Sequence, residues 1–175
     1  LSSTNGSLAD QKVTLEYSAN NGTSWSEVST TTTSHDGTYH YTWKPNAGSY
    51  LIRARFQGIK GSYISGVSPN QPLTVNKANA SIVLRISPPS IILGQNVTFL
   101  CNVTPKESGG RVVLEYSIDN KTWTPLASGD LVNGSYLTSW APKDVGAIFI
   151  RATWTGNMNY NIAVSSTEIL TVSKE

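Results

Sequence analysis

The stretch KVTLEYS at Lys12–Ser18 returns as RVVLEYS at Arg111–Ser117. A fixed internal period constrains a fold before any local preference is weighed, because each copy must be a unit that can be built twice. The correspondence continues in order: Trp25 with Trp123, Gly37 with Gly134, Tyr39 with Tyr136, Trp43 with Trp140, Pro45 with Pro142 and Gly48 with Gly146. Ile52, Arg53 and Ala54 then match Ile150, Arg151 and Ala152. Gly58, Tyr63 and Leu73-Thr74-Val75 match Gly156, Tyr160 and Leu170-Thr171-Val172. Offsets stay between 97 and 99, so one domain is present twice in a chain of 175 residues.

The second copy shows its strands by apolar residues alternating with period two. One strand is expected over 81–86 and a second over 95–103, with Val97, Phe99, Cys101 and Val103 on one face. A third over 111–118 is expected to bury Val112, Leu114, Tyr116 and Ile118, and the turn at 119–122 leads to Trp123 on a short fourth. A fifth falls near 135–140, a sixth turns Ile148, Ile150, Ala152 and Trp154 inward, and the last covers 163–172. Seven short strands, Pro and Gly at the turns and no helical period describe an antiparallel β-sandwich of immunoglobulin or fibronectin type.

The run from Val112 through LEYSIDNKTW, the later IRATWTGNMNY and the closing LTV resemble the Ig-like repeats strung along many archaeal and bacterial surface proteins. The likeness spans all of the second copy and most of the first. It implies a domain type rather than one role, since sandwiches host many functions. One departure from antibody-type domains is clear: Cys101 stands where the first disulfide Cys would be, and its expected partner on the sixth strand is Ala152. As the one Cys of the chain it reads as a buried small hydrophobe.

The first copy is short at its front. Some thirty residues precede RVVLEYS in the second copy and supply two strands, whereas eleven precede KVTLEYS, mostly Ser, Asn, Gly and Asp, which are poor strand formers. The expected fold class is therefore all-β, two tandem Ig-like or fibronectin-III-like antiparallel β-sandwiches, the first lacking its first two strands. The expected division is 1–76 for the incomplete sandwich, 77–80 for a short linker and 81–175 for the complete one. In the incomplete sandwich the inward rows Val13, Leu15, Tyr17 and Tyr50, Ile52, Ala54, Phe56 face a gap and form a candidate assembly groove. Leaving even ~400 Å² of apolar surface wet costs about 10 kcal/mol at ~25 cal/mol per Å², more than many domains have in hand. The gap is expected to be filled either by an upstream segment of the same polypeptide or by a strand from a neighbouring copy.

Charge narrows the partners. Thirteen basic and eleven acidic residues give a net charge of +2, with no basic patch or tail, which excludes nucleic acid and anionic membrane as expected partners. No run of 18 apolar residues and no basic-then-apolar start is present, so any export signal or anchor is expected to have been removed or to lie outside this chain. The eleven carboxylates are scattered, and His35 and His40 flank a turn. Hence no catalytic, metal or cofactor-binding residue is assigned, and the chain is not read as an enzyme.

Ser, Thr and Asn make up 56 of the 175 residues, and Asn-X-Ser/Thr occurs at Asn5, Asn21, Asn79, Asn96, Asn102, Asn120 and Asn133. Chance in such a composition gives about three, and Asn21 and Asn120 fall on the same hairpin in both copies, so all seven are candidate N-glycosylation sites. Five Trp raise a rival reading, a carbohydrate-binding or adhesive module that stacks sugars on an exposed aromatic strip. Four of the five form two repeat-equivalent pairs and Trp154 matches Phe56, which favours packing. The reading carried forward is a non-enzymatic extracellular structural subunit of a cell-surface filament, stalk or surface layer. Its expected partners are neighbouring copies or upstream domains, with cell-surface glycans as a further possibility.

Overall fold

In the computed structural model, which describes residues 1–4, 6–106 and 109–175, every regular element is a β-strand. The chain divides into two units, Leu1–Asn76 and Lys77–Glu175. In the first, β1 (Ser2–Ser3) and β2 (Gly6–Ser7) make a small ribbon. The rest is one antiparallel sheet of β3 (Lys12–Ser18), β4 (Ser26–Thr32), β5 (Gly48–Phe56), β6 (Gly66–Val67) and β7 (Gln71–Val75). Its order is β4-β3-β5-β6, with β7 also on β5.

The second unit has two sheets. One contains β8 (Ser81–Ser87), β10 (Val97–Thr104) and β13 (Ser135–Trp140) in the order β13-β10-β8. The other runs β12-β11-β14-β16-β9, built from β9 (Ser90–Ile92), β11 (Arg111–Ser117), β12 (Thr124–Asp130), β14 (Gly146–Trp154) and β16 (Glu168–Ser173), with β15 (Ala163–Val164) also on β14. Each pairing is antiparallel except that of β16 with β9. Between the sheets the alternation seen in the sequence becomes a core: Val97, Phe99, Cys101, Val112, Leu114, Ile150, Ala152, Trp154 and Leu170 are buried in one cluster. Strand pleating alone puts these on one face; the facing sheet is what removes them from water.

The structure differs from the sequence reading at several places. β11 stops at Ser117, so Ile118 begins the turn and is 77% exposed rather than inward, and Tyr116 is only half-buried. Trp123 lies before β12, not on it. Residues 77–80, read as a linker, are fastened to the second unit. Ala78 N–H donates to Asn159 O at 2.8 Å, Asn161 N–H to Ala78 O at 2.9 Å, and Lys77 Nζ to Asn157 O at 2.7 Å.

The shared sheet is reproduced in detail. Both copies carry a register shift after the same residue, between Leu15 and Glu16 and between Leu114 and Glu115. Both bend the hairpin through a left-handed Asn with φ 55°, Asn21 and Asn120, a region that Asn tolerates better than most residues. On the outer face Arg53 Nε donates to Glu16 at 2.8 Å and its guanidinium lies 3.8 Å from the Trp25 ring centre. Arg151 repeats this with Glu115 at 2.8 Å and Trp123 at 4.1 Å. Trp25 and Trp123 are thus partners of cations on the sheet's outside.

Candidate functional site

Among the described residues of the first unit, no counterpart of the β13-β10-β8 sheet covers the face of β3, β5 and β7 that corresponds to the buried face of the second unit. Among the described residues nothing in the first unit takes the places of β8 and β10. The segment 38–43, the counterpart of β13, is not a strand either. Its sequence, TYHYTW, keeps the Tyr and Trp of SYLTSW. What it lacks is β10, whose residues 97–102 pair with β13 in the second unit. A strand without a neighbour has no ladder to satisfy its backbone, so the same motif is irregular in one copy and regular in the other.

The seven groove residues divide into three groups. At one end Val13 and Phe56 are buried, 2% and 7% exposed. They line a cavity of about 310 Å³ with Leu1, Tyr39, Ala54 and Val67. At the other end Tyr17 and Tyr50 meet Trp43, with ring centres 5.0 to 5.8 Å apart, and Tyr50 Oη donates to Asn46 O at 2.9 Å. In the second unit the counterpart Trp140 packs on Tyr116 and on Phe99 of β10. Tyr50 therefore supplies from within the sheet the second aromatic contact that β10 supplies there. Between the two ends Leu15, Ile52 and Ala54 are half-buried, whereas their counterparts Leu114, Ile150 and Ala152 are fully buried.

Two further residues belong to this face and were missed by the sequence reading, although the repeat marks them. Leu73 is 36% exposed on β7 and Val75 is half-buried, while their counterparts Leu170 and Val172 are 0% and 3% exposed. In the second unit β9 runs alongside β16, and the first unit has no equivalent among its described strands.

The polar groups at the front of the first unit are tied down. Thr33, 2% exposed, donates through Oγ1 to Leu8 O at 2.6 Å and accepts from the Gln11 N–H at 3.0 Å. The Leu1 amino group donates to Gly37 O at 2.6 Å, and Leu8 N–H donates back to Leu1 O at 3.2 Å. Gly37 has φ 78°, and a Cβ there would strike the Leu1 carbonyl, so glycine is required twice over. On the outer face Glu16 is buried between Arg53 and Arg55 at 2.8 and 2.7 Å. Burial pushes its carboxyl up, but hydrogen bonds and charge from the two arginines outweigh that and hold it below its ordinary value.

The candidate glycosylation asparagines are not equivalent. Asn21, Asn79, Asn96, Asn120 and Asn133 are exposed, with Asn133 also left-handed at φ 53°. Asn102 is half-buried within β10 and its Oδ1 accepts from Ser135 Oγ at 2.8 Å. Asn5 lies outside the described residues. Trp154 is fully buried and the other four Trp are half-buried, so no exposed Trp strip is presented. Cys101 is free and fully buried, and burial pushes its thiol up to about 12. Among the described residues no group of three or more His, Cys, Asp or Glu could hold a metal ion.

No family model and no curated protein matches the chain. Among solved structures it is similar to a tetra-tandem repeat in the extending region of a large adhesion protein. The TM-score is 0.55 at 16% identity, over 95% of this chain and 43% of that one. The fold is that of tandem immunoglobulin-like, fibronectin-III-type repeats. At lower TM-scores stand the FN1–FN3 domains of chicken CNTN1, at 0.45 with 10% identity over 95% of this chain and 56% of that one. A 1.5-MDa bacterial ice-binding adhesin follows at 0.37, with 12% identity over 96% and 55%. This chain thus spans less than half the length of the first of these structures.

Proposed function

We propose that this chain is a non-enzymatic structural segment of an extracellular protein displayed at the cell surface of an archaeon or bacterium, as part of a filament, stalk or surface layer. One observation carries the reading: a whole sheet is repeated down to its bulge, hairpin asparagine and Glu–Arg–Trp stack, with no metal-binding cluster of His, Cys, Asp or Glu among the described residues. Repetition of packing without repetition of chemistry suits a spacer whose task is length and cohesion. The half-covered face of the first unit is where the segment is joined to its neighbour, through strands of an upstream domain or of another copy. Exposed Asn21, Asn79, Asn96, Asn120 and Asn133 would carry glycans, adding solubility to a surface with few charges. The carbohydrate-binding alternative needs an exposed aromatic strip, and the half-buried Trp rings weigh against it.

The reading is tested by labelling intact cells with an antibody to the second unit, alongside a glycan array. Surface labelling with no array binding is the expected result. Labelling only after cell lysis would overturn it, and selective micromolar binding to one sugar class would favour the rival.

A further inference from the structure

The open face needs a covering strand, and the geometry at Leu1 indicates how one arrives. In the second unit β10 ends against the start of β13: Val103 N–H donates to Gly134 O at 2.9 Å, with the Val103 side chain 4% exposed in the core. Gly37 is the repeat counterpart of Gly134, and the two share the left-handed conformation, φ 78° and 77°. In the first unit Gly37 O accepts instead from the Leu1 amino group at 2.6 Å. Leu1 lines one cavity with Val13, Tyr39, Ala54 and Phe56. Their counterparts Val112, Ala152 and Trp154 belong to the same core cluster as Val103, and Tyr136 packs against it. By backbone bond and by the residues around it, Leu1 stands in the place of Val103.

We infer that Leu1 is the last inward residue of a β-strand running antiparallel to 38–43, and that this strand covers the open face as a continuation of the backbone through the Leu1 nitrogen. The inference rests on reading that face as the joining site. It chooses between the two sources of strand: a separate donor would have to evict Leu1 from Gly37. The chemistry of the strand follows from the register of β10 on β13, where Val97, Phe99 and Cys101 lie opposite Trp140, Thr138 and Tyr136. Carried onto the first unit, apolar residues fall two, four and six positions ahead of Leu1, opposite Tyr39, Tyr41 and Trp43. They complete the ladder of 38–43 and close over Leu15 and Ile52. The same strand explains why 38–43 holds a Tyr-X-Tyr-X-Trp alternation without being a strand: the pattern is written for a neighbour.

The test is a chain in which a copy of residues 80–102, with the copied Cys101→Ala, is fused ahead of Leu1 of the full 175-residue protein, so that Leu1 follows it as Val103 follows the original. Amide hydrogen exchange at 38–43 is then expected to slow by at least about tenfold relative to the unextended chain. A second fusion with the copied Val97→Ser and Phe99→Ser keeps the backbone but loses the apolar row, and is expected to give no protection. A free peptide of the same 23 residues, added to the unextended chain at about 1 mM, is expected to protect far less. No protection from the apolar fusion, equal protection from the polar one, or equal protection from the free peptide would each overturn the inference. None of these outcomes bears on cell-surface display, so failure here is distinguishable from failure of the functional reading.

Discussion

Leu114 and Leu15 occupy the same place in two copies of one sheet, yet the first is fully buried and the second is not. The same holds for Ile150 against Ile52, Ala152 against Ala54 and Leu170 against Leu73. The sheet itself hardly differs: its bulge, its left-handed asparagine and its outer-face ion pair recur. A sheet can thus be specified by its own strands and turns. A core cannot, because it belongs to two layers, and only the second unit has both among its described residues.

The sharpest way to break this comparison is through Cys101, which reports on the second unit alone. With the thiol buried and its pKa pushed up to about 12, reaction with a thiol reagent at pH 8 is expected to be at least about a thousandfold slower in the native protein than in the unfolded chain. Fast labelling at a denaturant concentration that melts only the first unit would show that the two units do not open independently.

Paired truncations measure the missing layer directly. Leu114→Ala is expected to cost the second unit about 2–5 kcal/mol, and Leu15→Ala the first unit only about 1 kcal/mol, by urea unfolding followed separately for each unit. Equal costs would mean that the first face is as dry as the second.

On the outer face the order reverses, because Glu16 has two arginine partners and is the more buried of the two glutamates. Glu16→Gln is expected to destabilise the first unit by about 1–2 kcal/mol, discounted for the partial exposure of Arg53 and Arg55, and Glu115→Gln the second by under about 1 kcal/mol. A larger loss from Glu115→Gln would contradict the ranking of the two pairs.

The smallest effect separates the two hairpins. Thr122 N–H, then Lys121 N–H and Ser117 Oγ, hold the Asp119 carboxyl well below the usual carboxylate range, while its counterpart Asn20 has no charge to titrate. A carboxyl whose folded value is depressed stabilises the fold above its unfolded value and loses that contribution as pH falls toward the folded one. The second unit is therefore expected to lose part of its stability below about pH 4. Asp119→Asn should remove that component of the pH profile, leaving a hairpin like the first. An unchanged acid limb in Asp119→Asn would show that the hairpin carboxylate is not its source.

Much of this was legible in the sequence because a strand's pleat is local. Val97, Phe99, Cys101 and Val103 stand at every second position and become a buried row, and Ile148, Ile150, Ala152 and Trp154 do likewise. The missing front strands were legible too, from the eleven mostly polar residues ahead of Lys12. Other features were not. Ile118 continues the period-two pattern of β11 but lies past the end of the strand, where the turn fixed by Asp119 carries it into solvent. Asn102 points away from the core yet is half-covered, because Ser135 on the paired strand bonds to it. Leu1 reads as the start of a polar tail, and its place at Gly37 depends on a loop that closes 36 residues away.

By itself the sequence determined the repeat, the strands of the shared sheet and the facing of each side chain within it, since backbone geometry ties these to nearest neighbours. Only the tertiary structure decided which of those faces is dry, whether a Tyr-rich segment becomes a strand, and that Leu1 takes the place of Val103. Burial and ladder pairing join residues distant along the chain, and no local period records whether the partner layer is there.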